Sequence, residues 1–345
     1  MDFQQNNNQS QQTAPAYSSA VEKPPKKRRG WRIFWSIFIT LSVLANIVLF
    51  MMLIFVGTAA ALGVGYKSVL IEEVIQEGPR STKISIITVQ GVIDDEKAKH
   101  VSDQLKSAWK DERVKGLIIR IDSPGGTVSA SDRIYNQIKN YRQQAKKPVV
   151  AFMQGLAASG GYYTAVACEK IIAEPTTITG SIGVIWSYFV LQELLEKKLG
   201  ILPVVIKSGM KKDWPSPFQP PTEEQRQYMQ DKVTIAYERF VQVVADGRPS
   251  LKLDDVKRLS DGSIYFAQEA REENLIDDIG YLDEAIELVK SLAKIKEAQV
   301  VEYRRPFSLA EFLSSRSQNI IKIDRTTLHE LGTPQIMYLW SAYGP

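Results

Sequence analysis

PVVAFMQGLAASGGYYTAVAC, residues 148–168, runs from an apolar segment straight into alanines and glycines gathered around one serine. Its first half, PVVAFMQG (148–155), is short, apolar and stopped by glycine, the pattern of a buried strand. The second half, ASGGYYTAVAC, predicts a helix with Ser159 at the junction. A core position wants bulk and a surface position wants charge; this junction supplies neither. Small residues on both sides of a hydroxyl let another chain approach closely. Ser159 is therefore a candidate nucleophile, and equally an ordinary serine N-cap on a helix packed through glycines.

Outward from this stretch, strands and helices alternate. KISIITVQG (83–91) and VKGLIIRID (114–122) read as strands, as do KIIAEP (170–175) and LPVVIKSG (202–209). Residues 95–110 have helical period, with Val101, Leu105 and Ala108 on one face; TVSASDRIYNQIKNY (127–141) and YFVLQELLEKKLG (188–200) are further helices. Such spacing predicts parallel βαβ units and an α/β fold. From Thr222 the pattern TEEQ is a capping box opening a helix to about Ala245. DGSIYFAQEAREENLIDDIGYLDEAIELV (261–289) predicts short strand, helix, turn and helix. Residues 81–295 read as one domain, after a stalk at 65–80. Residues 296–345 read as a tail holding an amphipathic piece, SLAEFLSS, and an uncharged apolar end, PQIMYLWSAYGP.

The net charge of +4 is a property of the N-terminus alone. Residues 1–32 hold six basic and two acidic side chains, and the remaining 313 residues hold 37 of each. The body is neutral, which argues against a nucleic-acid face. The first twenty residues, rich in Gln, Asn and Ser, have the composition of disorder. No charged residue occurs from Ile33 to Tyr66, and PPKKRRGWR directly precedes that run. A stretch of this length crosses a bilayer, and basic flanks stay cytoplasmic. The apolar run exceeds the core of a cleaved signal peptide, so an uncleaved anchor at 33–64 is expected, with the body outside the cytoplasm. Cys168 is the one cysteine, set among small apolar residues, and reads as a buried structural thiol. His100 and His329 stand far apart in no metal-ligand spacing; neither a metal nor a cofactor is implied.

Two loops pair naturally with Ser159. DSPGG (122–126) ends a buried strand before a helix, where glycines turn the chain and leave amides free to stabilise an oxyanion. Taken alone it is also ordinary Pro-Gly turn chemistry. No histidine has a supporting context as base, so lysine is the alternative: an amine that loses its proton on burial can take one from serine. IKSGMKKDWPSPF (206–218) offers Lys207, Lys211 and Lys212, and the hydroxyl-rich loop TITGSIG (177–183) offers Ser181 to orient an amine.

DSPGG, GLAASGGYY, TGSIGV, KSGMKKDWPSP and the DGSIYFAQEA…LIDDIG block resemble, in order and spacing, the signal peptide peptidase A family. These are Ser/Lys-dyad membrane proteases of the ClpP/crotonase-like superfamily, and the likeness is to their short, single-domain bacterial form. It covers residues 80–295 and the N-terminal anchor. The resemblance implies a ClpP/crotonase-like fold of repeated ββα/βαβ units preceded by one transmembrane helix. It implies Ser159 as nucleophile, Lys212 as base with Lys211 in reserve, Ser181 in support, and the Gly126 and Gly160 amides as oxyanion hole. Substrates would be unfolded apolar peptides, notably signal-peptide remnants in the membrane. The partners would be lipid around 33–64 and further copies in a homo-oligomeric ring, where the lysine can come from the adjacent subunit. Tyr265-Phe266-Ala267 and Trp214-Pro215 depart from the common family form.

Three rivals stay open at this level. A crotonase-type acyl-CoA enzyme uses similar glycine loops, though the nucleophile turn lacks glutamates. A Clp-type Ser-His-Asp peptidase would need His100. An inactive membrane-anchored scaffold would bind peptides without cutting them. The apolar C-terminal end is expected in a peptidase groove ahead of the membrane surface, since no basic residues flank it; packing as a core strand is the third option. Tyr162 and Tyr163 are expected to anchor the helix behind the serine.

Overall fold

The computed structural model describes residues 29–61, 70–304 and 335–340. Two compact units result, one within residues 1–67 and one within 68–345. In the first, α1 (Arg29–Ala61) is a single helix. Its stretch Gly30–Phe55 has a mean hydropathy of 2.7 over 26 residues. At a rise of 1.5 Å per residue that spans about 39 Å, against roughly 30 Å of hydrocarbon. This helix is long and apolar enough to cross a membrane. It begins four residues before the expected 33–64 span, inside the basic run.

The second unit opens with β1 (Ile71–Gln76), β2 (Lys83–Gln90), α2 (Asp95–Lys110), β3 (Val114–Ser123), β4 (Gly125–Thr127) and α3 (Val128–Ala145). There follow β5 (Val149–Ala158), α4 (Gly160–Ala165), β6 (Lys170–Ala173), β7 (Ile178–Gly180) and β8 (Ile185–Ser187). After a π-helical turn at Leu194–Lys198 come α5 (Glu223–Gly247), α6 (Leu253–Arg258), β9 (Ile264–Phe266) and α7 (Ala267–Glu272). The remaining elements are β10 (Asp278–Ile279), α8 (Leu282–Ala293), β11 (Gln299–Arg304) and β12 (Gln335–Leu339).

The main sheet runs β1-β11-β2-β3-β5-β6-β10, with β7 beside the end of β5 and β9 beside β7. Its centre is parallel, from β11 through β2, β3 and β5 to β6. Strand alternation divides the apolar residues between two faces. Ile87, Val89, Leu117, Ile119, Ile121, Val149, Ala151 and Met153 join a core with α2, α3, α4 and α5. Ile84, Ile86, Ile118, Val150 and Phe152 pack instead against Ala285, Ile286 and Val289 of α8. Because both faces are covered, β3 reads as a continuous apolar run rather than an alternating one. The DSPGG loop and the Ser159 turn described below hang from the C-terminal ends of β3 and β5. The α/β expectation holds, and so do helices 95–110 and 222–245. Thr222 caps α5 with its hydroxyl on the Gln225 amide while Gln225 Oε1 accepts from Thr222 N–H.

Several expectations need correction. LPVVIKSG forms no strand: it is irregular, with Leu202, Val204 and Ile206 exposed at 73, 78 and 96%. Its β-branched residues have the propensity but, among the described residues, no partner strand beside them. YFVLQELLEKKLG holds only the π-helical turn, because no residue of that turn is buried against the domain. The stalk at 65–80 includes β1, and the tail at 296–345 includes β11; these pair antiparallel and close one edge of the sheet. TITGSIG is not a loop throughout, since its first part is β7. Of the basic tail expected to be disordered at 1–32, residues 1–28 lie outside the described residues, as do SLAEFLSS and His329, whereas residues 29–32 are the first turn of α1.

Candidate active site

Ser159 stands between β5 and α4 at φ 52° and ψ −114°, a left-handed conformation in a residue with a Cβ. Such backbone strain costs about 1–3 kcal/mol and persists only where the surroundings over-determine it. The surroundings here do so. Ser159 N–H donates to Gly180 O at 2.8 Å, and its carbonyl accepts from Tyr163 N–H at 2.8 Å. Behind it α4 is buried throughout. Tyr162 Oη donates to Leu275 O at 2.9 Å, and Tyr163 Oη donates to Asp132 Oδ1 at 2.6 Å. Arg239 Nη2 holds the same Asp132 oxygen at 2.9 Å, so two helices fix the tyrosine. Both tyrosines thus anchor the serine helix, as expected. Asp132 and Arg239 were missed, and no local pattern marks a contact across 107 residues. Ser159 itself is 1% exposed, and its hydroxyl caps no helix amide. A plain N-cap therefore does not explain it. With six residues, α4 has a small dipole, which shifts the electrostatic burden to nearby amides.

The DSPGG loop lies against this turn, backbone to backbone. Ser123 Oγ donates to Gly91 O at 2.7 Å and accepts from Gly125 N–H at 3.0 Å. Gly125 takes φ 100°, which only glycine adopts without strain. A Cβ on Gly126 would fall 2.0 Å from Ile93 O. One on Gly160 would fall 2.5 Å from Ser131 Oγ and 3.1 Å from Gly126 N. One on Gly161 would fall 2.9 Å from Ser123 O. Gly160 and Gly161 are thus required by close packing as much as by any approaching peptide. Gly126 and Gly160, expected as partners, are neighbours.

Ser181 also takes a positive φ, 49°, and is 8% exposed. It follows β7, whose Gly180 pairs with Ala158 and accepts the Ser159 amide bond. The lysines behave differently. Lys211 Nζ lies 5.2 Å from the Trp214 ring and 5.0 Å from that of Tyr228, and Lys207 Nζ donates to Asp213 at 2.7 Å. Lys212 is exposed, its backbone N–H bonded to Gly209 O at 3.1 Å. Among the described residues no lysine amine is hydrogen-bonded to Ser159. His100 sits on α2, 3.3 Å from Glu96. Cys168 is buried, and that burial pushes its thiol up to about 12, leaving it inert at neutral pH.

The apolar end of the chain completes the picture. β12 pairs antiparallel with β4 on one side and with β8 on the other. Its register sets Tyr338 opposite Gly126 and Leu339 opposite Gly125, and Trp340 N–H donates to Pro124 O at 2.8 Å. A cleft of about 470 Å³ continues from it, lined by Ser181, Ile185, Tyr237, Ser260, Leu339 and Trp340. The chain's own strand therefore lies along the loop that abuts Ser159.

A family model described as peptidase family S49 matches residues 141–296, and one described as Clp protease matches residues 73–178. A protein of Enterococcus faecium named "Putative signal peptide peptidase SppA" is 39% identical over 244 residues, 68% of this chain and 70% of that one. The chloroplastic serine protease SPPA of Arabidopsis thaliana is 35% identical over 255 residues, 72% of this chain and 36% of its own length. Protease 4 of Haemophilus influenzae is 32% identical over 227 residues, 64% of this chain and 36% of its own. The chain thus spans about a third of these last two relatives.

Proposed function

Since this chain belongs to peptidase family S49 and is a serine peptidase, we propose that it is a membrane-anchored endopeptidase whose nucleophile is Ser159 and whose base is Lys212. The observation that carries the reading is the strained Ser159 beside Gly126 and Gly160, with an extended strand paired along their loop. In this reading the neutral Lys212 amine takes the Ser159 proton, and the alkoxide adds to the scissile carbonyl. The Gly126 and Gly160 amides receive the oxyanion. The Lys212 ammonium then protonates the leaving amine, giving the acyl-enzyme and the first product. Lys212 next takes a proton from water as the hydroxide adds to the acyl carbonyl; collapse releases the second product, and the Lys212 ammonium returns the proton to the departing Ser159 oxygen. Ser181 holds the amine in line.

Within one chain Lys212 is exposed. A second copy that covers it would both bury the amine and bring it to a neighbouring Ser159. Support for such packing comes from the segment before it, where Phe189, Leu199, Leu202, Val204, Ile206 and Met210 are all exposed. Exposed apolar residues concentrated in one segment of chain are what an interaction site requires. The assembly would be a homo-oligomeric ring. The helix α1 anchors the chain in lipid, with its basic N-terminal flank in the cytoplasm and the peptidase unit outside. That position suits unfolded apolar peptides, signal-peptide remnants among them, in keeping with the name carried by the Enterococcus faecium relative. β12 then acts as an inhibitory segment.

Subunit mixing tests the shared dyad. Ser159→Ala and Lys212→Ala chains are each expected to be inactive, and Ser159→Ala to lose labelling by a serine-reactive fluorophosphonate. Co-expressed, they should recover roughly a quarter of wild-type activity, since one site in four draws serine and lysine from intact sources. No recovery places the lysine in the same chain. Wild-type turnover by either single variant removes that residue from the mechanism, and rescue of the dyad by Lys211 would show as inactivity of Lys211→Ala instead.

A further inference from the structure

We infer that Ser131 is a positioning residue of the oxyanion site, its buried hydroxyl setting the gap between the Gly126 and Gly160 amides. The inference rests on the proposed reading that those two amides receive the oxyanion. Its first support is a hydroxyl with no bond to keep it in place. Ser131 is wholly buried near the start of α3, and among the described residues its Oγ makes no hydrogen bond. A serine inside a helix can return its hydroxyl to the carbonyl four residues back, here that of Thr127, and Ser131 does not. Leaving a buried hydroxyl unpaired opposes folding, and alanine, the better helix former, would remove the penalty. Fold stability therefore does not explain a serine at 131.

The second support is what the hydroxyl touches. The point where a Gly160 Cβ would sit is 2.5 Å from Ser131 Oγ, and 3.1 Å from both Gly125 Cα and Gly126 N. Ser131 Oγ is thus at most about 4 Å from the Gly160 α-carbon, one C–C bond further on. The hydroxyl fills the place a side chain at 160 would take. The third support is how the elements join. Gly126 leads straight into α3 through its cap, Thr127, whose hydroxyl accepts from Ala130 N–H at 3.3 Å. Gly126 and Ser131 therefore ride on one piece of chain. Gly160 opens α4, and α3 holds that helix again near its next turn. There Asp132 accepts from Tyr163 Oη at 2.6 Å, and the rings of Tyr135 and Tyr163 meet edge-on at 5.4 Å. Asp132 and Tyr135 fix how far α4 stands from α3; Ser131 fixes where α4 begins. One amide of the pair leads into α3, and the other belongs to the residue Ser131 touches. Their separation follows from that contact. Misplacement by about 1 Å at a reacting centre can cost about 10²-fold in rate.

The test uses full-length protein in detergent, with Ser159→Ala as blank. Ser131→Ala should melt at or above the wild-type temperature, since it removes an unpaired buried hydroxyl. Its kcat should nevertheless fall about 10-fold with KM held within about twofold, short of the roughly 10²- to 10³-fold of losing a donor outright. Affinity for a peptide aldehyde, whose adduct with Ser159 carries its oxygen where the oxyanion would lie, should weaken by the same factor. Residues that act through one contact are non-additive. Ser131→Gly should therefore lower kcat in the native Gly160 background and raise it in the Gly160→Ala background, where it makes room for the new methyl. Unchanged kcat and aldehyde affinity in Ser131→Ala overturn the inference. So does a variant that melts lower and loses KM and kcat together, as a merely structural serine would, and so does a Ser131→Gly effect of one sign in both backgrounds. Wild-type turnover by Ser159→Ala removes the Ser159 reading instead, and the inference with it.

Discussion

Deleting residues 332–345 should raise turnover of short peptides, and Tyr338→Ala should reproduce much of that rise in the intact chain. The size follows from what Tyr338 contributes to holding β12 in place. Truncating a buried aromatic side chain costs about 3–5 kcal/mol where the site cannot collapse. The pocket walls are Tyr163, tied to Asp132, and Phe240 on a long helix, so little collapse is available. At 1.4 kcal/mol per factor of ten, the open fraction of the groove rises by roughly two to three and a half orders of magnitude. The gain in activity follows that rise until most chains are open and then levels off. It should therefore be larger for weakly bound short peptides than for long ones able to displace the strand. The assay is initial rate against peptide length for wild type, Tyr338→Ala and the deletion, with Ser159→Ala as blank. Because Tyr338 also packs on the serine helix, thermal melts accompany each variant. Unchanged Ser159-dependent rates in both variants, with wild-type melting, would refute an inhibitory role for β12.

Two further outcomes follow from the packing. Gly160→Ala places a methyl 2.5 Å from Ser131 Oγ and 3.1 Å from Gly126 N, displacing both proposed oxyanion donors. kcat/KM should fall about 10²- to 10³-fold. Adding Ser131→Gly should restore part of it; a loss under threefold would mean that these amides do not face the reacting carbonyl. At the far edge of the core, burial opposes ionisation of Asp277, but the Arg248 hydrogen bond and charge, with Lys170 and the Ile171 amide, hold its carboxyl below the usual range. A carboxyl depressed on folding stabilises the fold above its unfolded value and loses that contribution as pH falls through its folded value. Wild type should therefore lose melting temperature between about pH 5 and pH 3, and Asp277→Asn should be less stable at pH 7 but flatter across that window. Parallel pH profiles would remove Asp277 from the acid response.

What could be read from sequence divides along a physical line. β2, β3 and β5 and the helices α2 and α5 were legible because their signals are local: buried apolar runs, one-face periodicity, and the Thr222–Gln225 cap. Ser159 stood out through the small residues around it, yet its positive φ comes from Gly180 and from two tyrosines with partners 31 and 113 residues away. The segment at 202–209 misled for the converse reason. β-propensity describes how a residue fits a pleated surface, and among the described residues no strand offers one there. β1 and β11 went unread because each carries charges on an edge that the other closes, with Arg304 bound to Glu73 across the pair. β12 is the most telling case. Its uncharged run fits core, membrane or groove equally well, and composition cannot separate them. What decides is that Tyr338 finds three partners drawn from α4 and α5, the rings of Tyr163 and Phe240 and the carbonyl of Ala236, while its backbone pairs along the glycines of the DSPGG loop. The same bareness that makes room for β12 at Gly125, Gly126 and Gly160 is what a peptidase needs for its substrate, so in the proposed reading the tail and the substrate would compete for one set of contacts.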